Sequence, residues 1–199
     1  SDVYKRQGND SVTNIESLVG GLASDRLFGD DSANTIDGLT GNDTITGGAG
    51  NDTLIGGEGA DSVTGGTGTD TVNFATSLDP VSISLTTNTA RVVLDSGTVT
   101  DKLASLENIV GSAYADTLTG DLNVNVLTGG AGDDVLIGAA GNDTLSGGTG
   151  NDTVDFSSAT GAVTLNLNSG TAAGVGSDSL SGIENAVGGA GSDEFTGDA

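Results

Sequence analysis

Aspartates recur in this chain at a fixed interval, and the interval narrows the chemistry they can do. Between Gly38 and Asn73 the sequence reads GLTGNDTIT, GGAGNDTLI, GGEGADSVT and GGTGTDTVN, four nine-residue blocks end to end. Asp43, Asp52, Asp61 and Asp70 each stand sixth in their block. Glycine stands first and fourth, an aliphatic residue eighth (Ile45, Leu54, Val63, Val72), and only Leu39 replaces glycine in second place. Two degenerate blocks precede these from Gly20, GGLASDRLF with Asp25 and GDDSANTID with Asn34. A second array runs from Gly111 as GSAYADTLT, GDLNVNVLT, GGAGDDVLI, GAAGNDTLS and GGTGNDTVD. Its sixth places hold Asp116, Asn125, Asp134, Asp143 and Asp152. The chain has no histidine and no cysteine, so the donors are oxygens alone. That argues against zinc and copper sites and against a Ser-His-Asp triad or an HExxH centre. No P-loop and no EF-hand loop occurs. A cation ligated by oxygen is the chemistry this series suits, and no catalytic residue is expected.

The elements that would position these carboxylates follow from the period. Gly-Gly-x-Gly-x-Asp is turn chemistry, because closely spaced glycines permit positive φ and close backbone approach. The next three residues, such as Thr44-Ile45-Thr46, form a short strand whose middle side chain points inward. One turn and one strand reverse the chain, so two blocks make a coil of 18 residues. Coils stacked at strand spacing give an all-β, right-handed parallel β-roll (a β-solenoid). Asp43 then lies over Asp61 on one edge and Asp52 over Asp70 on the other. Carboxylates about 4.8 Å apart repel by roughly 1 kcal/mol in water and about 3.5 kcal/mol at an effective dielectric of 20. Ca²⁺ suits such a site, taking about six to eight carboxylate and carbonyl oxygens, whereas Mg²⁺ demands strict octahedral geometry.

Composition agrees. Only 3% of the 199 residues are aromatic, 35 are glycine, and the net charge is −23. Such a surface disfavours nucleic acid and anionic membranes and favours cations. No apolar run approaches the roughly 18 residues of a membrane span, so no membrane insertion is expected.

Residues 20–73 thus form a first array, 111–155 a second, and 188–199 the start of a third. Between them lie β inserts with their joints, 74–110 and 156–187. Each insert opens on an aromatic residue (Phe74, Phe156). In the first, the alternation of Val81, Ile83 and Leu85 within VSISLTTNTARVVL predicts a half-buried strand, preceded by Pro80. In the second, Val163, Leu165 and Leu167 do the same. Similar joints follow Asp10, Asp101 and Asp178, and these aspartates read as caps or structural residues. Glu16, Glu107 and Glu184 read as joint packing or capping. Residues 8–19 look like the end of a preceding insert. The opening SDVYKRQ, residues 1–7, fits no phase of the repeat and reads as foreign sequence outside the fold. The chain is expected to be a piece of a longer protein.

GGAGNDTLI (47–55), GGEGADSVT (56–64) and GGTGTDTVN (65–73) resemble, residue for residue, the G-G-x-G-x-D-x-U-x nonapeptide of the RTX (haemolysin-type) calcium-binding repeat proteins. The resemblance implies several Ca²⁺ ions held in the turns between loops one coil apart. Carried onto this sequence, complete sites pair Asp43 with Asp61, Asp52 with Asp70 and Asp134 with Asp152. Backbone carbonyls near Gly48, Gly50, Gly57, Gly59, Gly130, Gly132, Gly148 and Gly150 would complete them. Poorer sites pair Asp25 with Asp43, Asp116 with Asp134 and Asn125 with Asp143, where Ala23 and Tyr114 intrude on the turns. Asn34 beneath Asp52 lacks a charge. The resemblance also implies type I secretion from a Gram-negative bacterium and folding in external calcium.

Function is therefore expected to be structural: a calcium-binding segment of a larger secreted protein, stiffened outside the cell, with the parent's other domains as partners. The alternatives are an adhesin-type module presenting a strand face to cell-surface glycan or ice, and the C-terminal accessory region of a secreted enzyme or toxin. The Asn-Asp-Thr triplets match a glycosylation pattern but read as by-products of the repeat.

Overall fold

The computed structural model describes residues 3–5, 16–94 and 97–197. Gly8, Asn9 and Asp10, with the role expected for Asp10, lie outside the described residues. Strands β1 (Val3–Lys5) and β2 (Ser17–Val19) lead into the first array, which supplies β3 (Arg26–Phe28), β4 (Thr35–Asp37), β5 (Thr44–Ala49), β6 (Thr53–Ile55), β7 (Ser62–Thr67) and β8 (Thr71–Asn73). The first insert holds β9 (Val81–Ser84), β10 (Thr89–Leu94) and β11 (Gly97–Ala104), and its joint holds β12 (Asn108–Val110). The second array supplies β13 (Thr117–Thr119), β14 (Val126–Ala131), β15 (Val135–Ile137), β16 (Thr144–Thr149) and β17 (Thr153–Asp155). Then come β18 (Thr164–Asn166), β19 (Thr171–Ala173), β20 (Ser177–Ser181), β21 (Asn185–Val187) and β22 (Glu194–Thr196).

Successive strands of the arrays alternate between two sheets, one of 12 strands and one of 10. Within a sheet, array neighbours are parallel and 18 residues apart: Thr35 faces Thr53, Thr53 faces Thr71, Ile45 faces Val63 and Leu127 faces Leu145. The eighth-position side chains meet between the sheets. Ile36, Ile45, Leu54, Val72, Leu118, Leu127, Leu136, Leu145 and Val154 are wholly buried. Each coil thus contributes two aliphatic side chains to a narrow core, and the stack rather than the single coil is the folding unit.

The run from Val81 to Leu94 is not one strand. It breaks at residues 85–88, where Asn88 takes φ 56°, a left-handed conformation that asparagine tolerates. This turn lets β10 run antiparallel to both β9 and β11. The outer strands of the meander then join the stack, β11 parallel to β7 and β9 parallel to β13. The second insert forms the same meander from β18, β19 and β20, with β20 parallel to β16 and β18 parallel to β22. The first meander enters the 10-stranded sheet and the second the 12-stranded sheet. Phe74 and Phe156 are buried at equivalent corners, their amides donating to the Val110 and Val187 carbonyls (2.9 Å each).

The opening segment also departs from expectation. Val3–Lys5, read as lying outside the fold, pairs in parallel with β2. The unpaired edge of β2 accepts any extended segment, and Val and Tyr favour extended backbone.

Candidate metal centres

The turn from Gly47 to Asp52 shows how the blocks build a site. Gly48 and Gly50 take φ 116° and 100°. The coil beneath comes so near that a methyl on Gly48 would collide with the Asp30 carbonyl. Glycine is required here on both counts. In fifth place Asn51 Oδ1 accepts the Thr69 amide of the next coil (2.9 Å), as Asn42 Oδ1 accepts that of Ala60 (2.9 Å). Asn42 and Asn51, each in an Asn-Asp-Thr triplet, therefore tie coil to coil.

The sixth-position side chains form a ladder along each edge. The Asp43 amide donates to Asp61 Oδ1 (2.8 Å), that of Asp52 to Asp70 (2.9 Å) and that of Asp134 to Asp152 (2.9 Å). The poorer pairs meet in the same way: Asp25 with Asp43 (2.7 Å), Asp116 with Asp134 (2.8 Å), Asn125 with Asp143 (2.9 Å) and Asn34 with Asp52 (2.8 Å). Every 18-residue pairing read from the sequence is present.

Sequence reading missed the members that cross the joints. The Asp61 amide donates to Asp101 Oδ1 (2.9 Å) and that of Asp143 to Asp178 Oδ1 (3.0 Å), both carboxylates being buried. These two aspartates are ladder members rather than separate caps. Glu107 and Glu184 take the aspartate's place, their Oε2 atoms accepting the Asp70 and Asp152 amides (2.8 Å each). Asp193 Oδ1 likewise accepts the Val163 amide (2.9 Å). The signal was present: Asp101-Lys-Leu-Ala and Glu107-Asn-Ile-Val keep the acid-x-aliphatic-x tail of the nonapeptide after its glycines are gone.

In six of the ladder aspartates one oxygen accepts an amide and the other is left over. The Oδ2 atoms of Asp43, Asp52, Asp61, Asp70, Asp134 and Asp152 are buried with no hydrogen-bond partner, in residues 2% exposed or less. Six orphaned carboxylate oxygens run against the general rule that buried polar groups find partners. Several have a carbonyl of the next coil for company. A methyl added to Gly38 would strike both Asp43 Oδ2 and the Gly56 carbonyl, one on Gly47 both Asp52 Oδ2 and the Gly65 carbonyl, and one on Gly129 both Asp134 Oδ2 and the Gly147 carbonyl. The carbonyls beside the orphans thus belong to first-position glycines. Those expected from Gly48, Gly50, Gly130 and Gly132 lie against Gly66, Gly68, Gly148 and Gly150 of the following coil.

Burial raises the carboxyl pKa values along the ladders. Asp43, Asp134 and Asp143 are pushed up to about 6 and Asp101 to about 7, burial being the largest cause, with neighbouring carboxylates adding to it. Asp52, Asp61, Asp116, Asp152 and Asp178 are raised for the same first reason. Among the described residues no three acidic, histidine or cysteine side chains converge on one metal position. A cation here would draw on one or two carboxylates and on main-chain carbonyls, an all-oxygen set that fits Ca²⁺.

The nonapeptide profile described as the RTX calcium-binding nonapeptide repeat (4 copies) matches residues 11–45, 37–72, 107–125 and 119–154, more than half of the chain. The chain belongs to the RTX calcium-binding repeat family. No curated protein matches it in sequence. RTX repeat domains are structural and not catalytic, and this chain is a calcium-binding structural repeat segment of that kind. RTX membership implies calcium binding through the aspartate-rich turns and secretion from the cell. Among the described residues no helix is long and apolar enough to cross a membrane.

Proposed function

We propose that this segment crosses the cell envelope unfolded, by type I secretion from a Gram-negative bacterium, and folds when it meets external calcium. Asp43, Asp52, Asp61, Asp70, Asp134, Asp143 and Asp152 hold the ions, aided by glycine carbonyls of the neighbouring coils. The rod so formed stiffens the parent protein and spaces its other domains. The six buried, unpartnered aspartate Oδ2 atoms carry this reading, because a low calcium level leaves them without counter-charge and a high level supplies it. Affinities of extracellular modules, roughly 10⁻⁴–10⁻³ M, suit such a switch. Circular dichroism of the purified chain with and without millimolar calcium tests it, a large gain of strand signal being expected on adding calcium. A fully folded calcium-free form, unchanged on adding calcium, would sink it. The alternative of a strand face presented to glycan or ice has less support, since the threonine row Thr35–Thr53–Thr71 gives way to Asn108 and Val126 in the same sheet.

A further inference from the structure

The turns are of two kinds. In those ending at Asp43, Asp52, Asp61, Asp70, Asp134 and Asp152 the second residue is left-handed: Leu39 at φ 70°, Gly48 at 116°, Gly57 at 95°, Gly66 at 126°, Gly130 at 120° and Gly148 at 114°. No amide then reaches the aspartate Oδ2, which stays bare. The Asp143 turn has the same conformation, with Ala139 at φ 72°.

Four turns do otherwise. They carry Ala23, Ser32, Tyr114 and Asn123 where the others have a fourth-position glycine. Their second residues, Gly21, Asp30, Ser112 and Asp121, are not left-handed. Each second-position amide instead donates into the sixth side chain of its own turn: Gly21 to Asp25 Oδ2 (2.6 Å), Asp30 to Asn34 Oδ1 (2.8 Å), Ser112 to Asp116 Oδ2, and Asp121 to Asn125 Oδ1 (2.8 Å). Ser112 Oγ adds a bond to Asp116 Oδ1 (2.8 Å), and Asn125 Nδ2 donates to the Glu107 carbonyl (2.8 Å). In the first of the four, Asp25 still keeps a bare Oδ1. Protein donors thus occupy the position that a cation would take, and two of the four side chains are uncharged amides.

These turns are not scattered. They come in pairs, one on each edge, and each pair is the full coil that opens an array: residues 20–37 and residues 111–128. The second coil sits directly on the insert, β13 pairing with β9 and β14 with β12. Together they share a continuous core of Val81, Ile83, Leu85, Leu103, Leu118 and Leu127.

We propose that residues 20–37 and 111–128 are metal-independent coils, and that the second, with its insert, is the template on which the calcium-dependent coils of its array assemble. This rests on the calcium reading above. A preformed coil removes the most costly step for a stack, the first pairing, so later coils add to an existing edge.

Calcium stoichiometry and hydrogen exchange of the whole chain test the proposal. Asp116→Asn should leave the number of bound calcium ions unchanged, whereas Asp134→Asn lowers it by one. The double change Ser112→Gly with Tyr114→Gly, which restores a complete turn, should raise it by one. In wild-type protein at calcium levels too low to fill the sites, amides of 117–119 and 126–128 should exchange at least tenfold more slowly than those of 135–137 and 153–155. Equal exchange in the two groups, or the same loss of calcium in Asp116→Asn and Asp134→Asn, would overturn the inference and leave the calcium reading standing. If wild-type protein binds no calcium at all, both fall. The wild-type exchange pattern decides even where a variant does not fold.

Discussion

Replacing Asp134 by asparagine separates its two oxygens. The retained Oδ1 still accepts the Asp116 amide, which donates to it over 2.8 Å, so the ladder bond survives. The orphaned Oδ2 becomes an amide nitrogen, which donates and cannot ligate a cation. Each occupied site stabilises the fold by RT ln(1 + [Ca²⁺]/Kd). For a Kd of roughly 10⁻⁴–10⁻³ M, about 10 mM calcium contributes about 1.4–2.7 kcal/mol per site. Above Kd the difference between wild type and Asp134→Asn should therefore widen by about 1.4 kcal/mol for each tenfold rise in calcium. Urea unfolding followed by circular dichroism, across calcium concentrations at which both proteins are folded, measures that slope directly. A difference that stays flat as calcium rises would mean that Asp134 serves only the backbone ladder, and the reasoning from its bare oxygen would be wrong.

Other perturbations should behave in distinct ways. Leu136→Ala removes a wholly buried side chain and should cost about 2–5 kcal/mol, by the same amount at low and high calcium in the same urea assay. A methyl at Gly129 strikes Asp134 Oδ2 and the Gly147 carbonyl, so Gly129→Ala should lose one calcium ion by titration calorimetry and overpack the coil at about 1–3 kcal/mol. Gly161→Ala, whose methyl would meet nothing within 4 Å, should keep every ion and gain up to about 1 kcal/mol. For pH, Asp43 and Asp134 rise from 3.8 to about 6, so the calcium-free fold holds protons that the unfolded chain has released. Its stability should fall as pH rises from near 4 through about 6. Calcium binding needs the same groups deprotonated, so the calcium midpoint of folding should move to higher concentration between pH 7.5 and pH 5.5, roughly the span over which these carboxyls take up protons. An unchanged midpoint would count against ligation by these carboxylates.

The coil is legible in the sequence because its period is strict. Side chains 18 residues apart must stack if each block is half a coil, and Asp43 does pair with Asp61, not with its nearer neighbour Asp52. The inserts are harder, because alternation reports which way a side chain faces and says nothing of which strand lies alongside. Val81, Ile83 and Leu85 do point inward as their alternation implies, while the reversal at Asn88 rests on one left-handed residue in a polar run. Glu107 and Glu184 stand level with Asp70 and Asp152, the residues after them pairing with Thr71 and Thr153, but no Gly-Gly pair precedes them to mark a turn. The bare Oδ2 atoms are legible only through the fourth-position glycine, whose replacement by Ala23, Ser32, Tyr114 or Asn123 marks the turns without one. They depend on which way the second-position peptide turns, and GGLASD and GGAGND have the same glycine there, differing only from the third residue onward.

The two meanders enter opposite sheets, and this has a consequence for the course of the rod. Each adds two strands to one side of the stack, a wedge of about 10 Å at ordinary strand spacing. By that count the first wedge would lean the rod one way and the second would lean it back. Six strands, β12 to β17, separate the two. Since strands alternate sides, an even number puts successive wedges on opposite flanks. Loss or gain of a single nonapeptide would make the number odd and put both on the same flank. The zigzag would become an arc, so the tally of nine-residue blocks steers where the far end of the rod points.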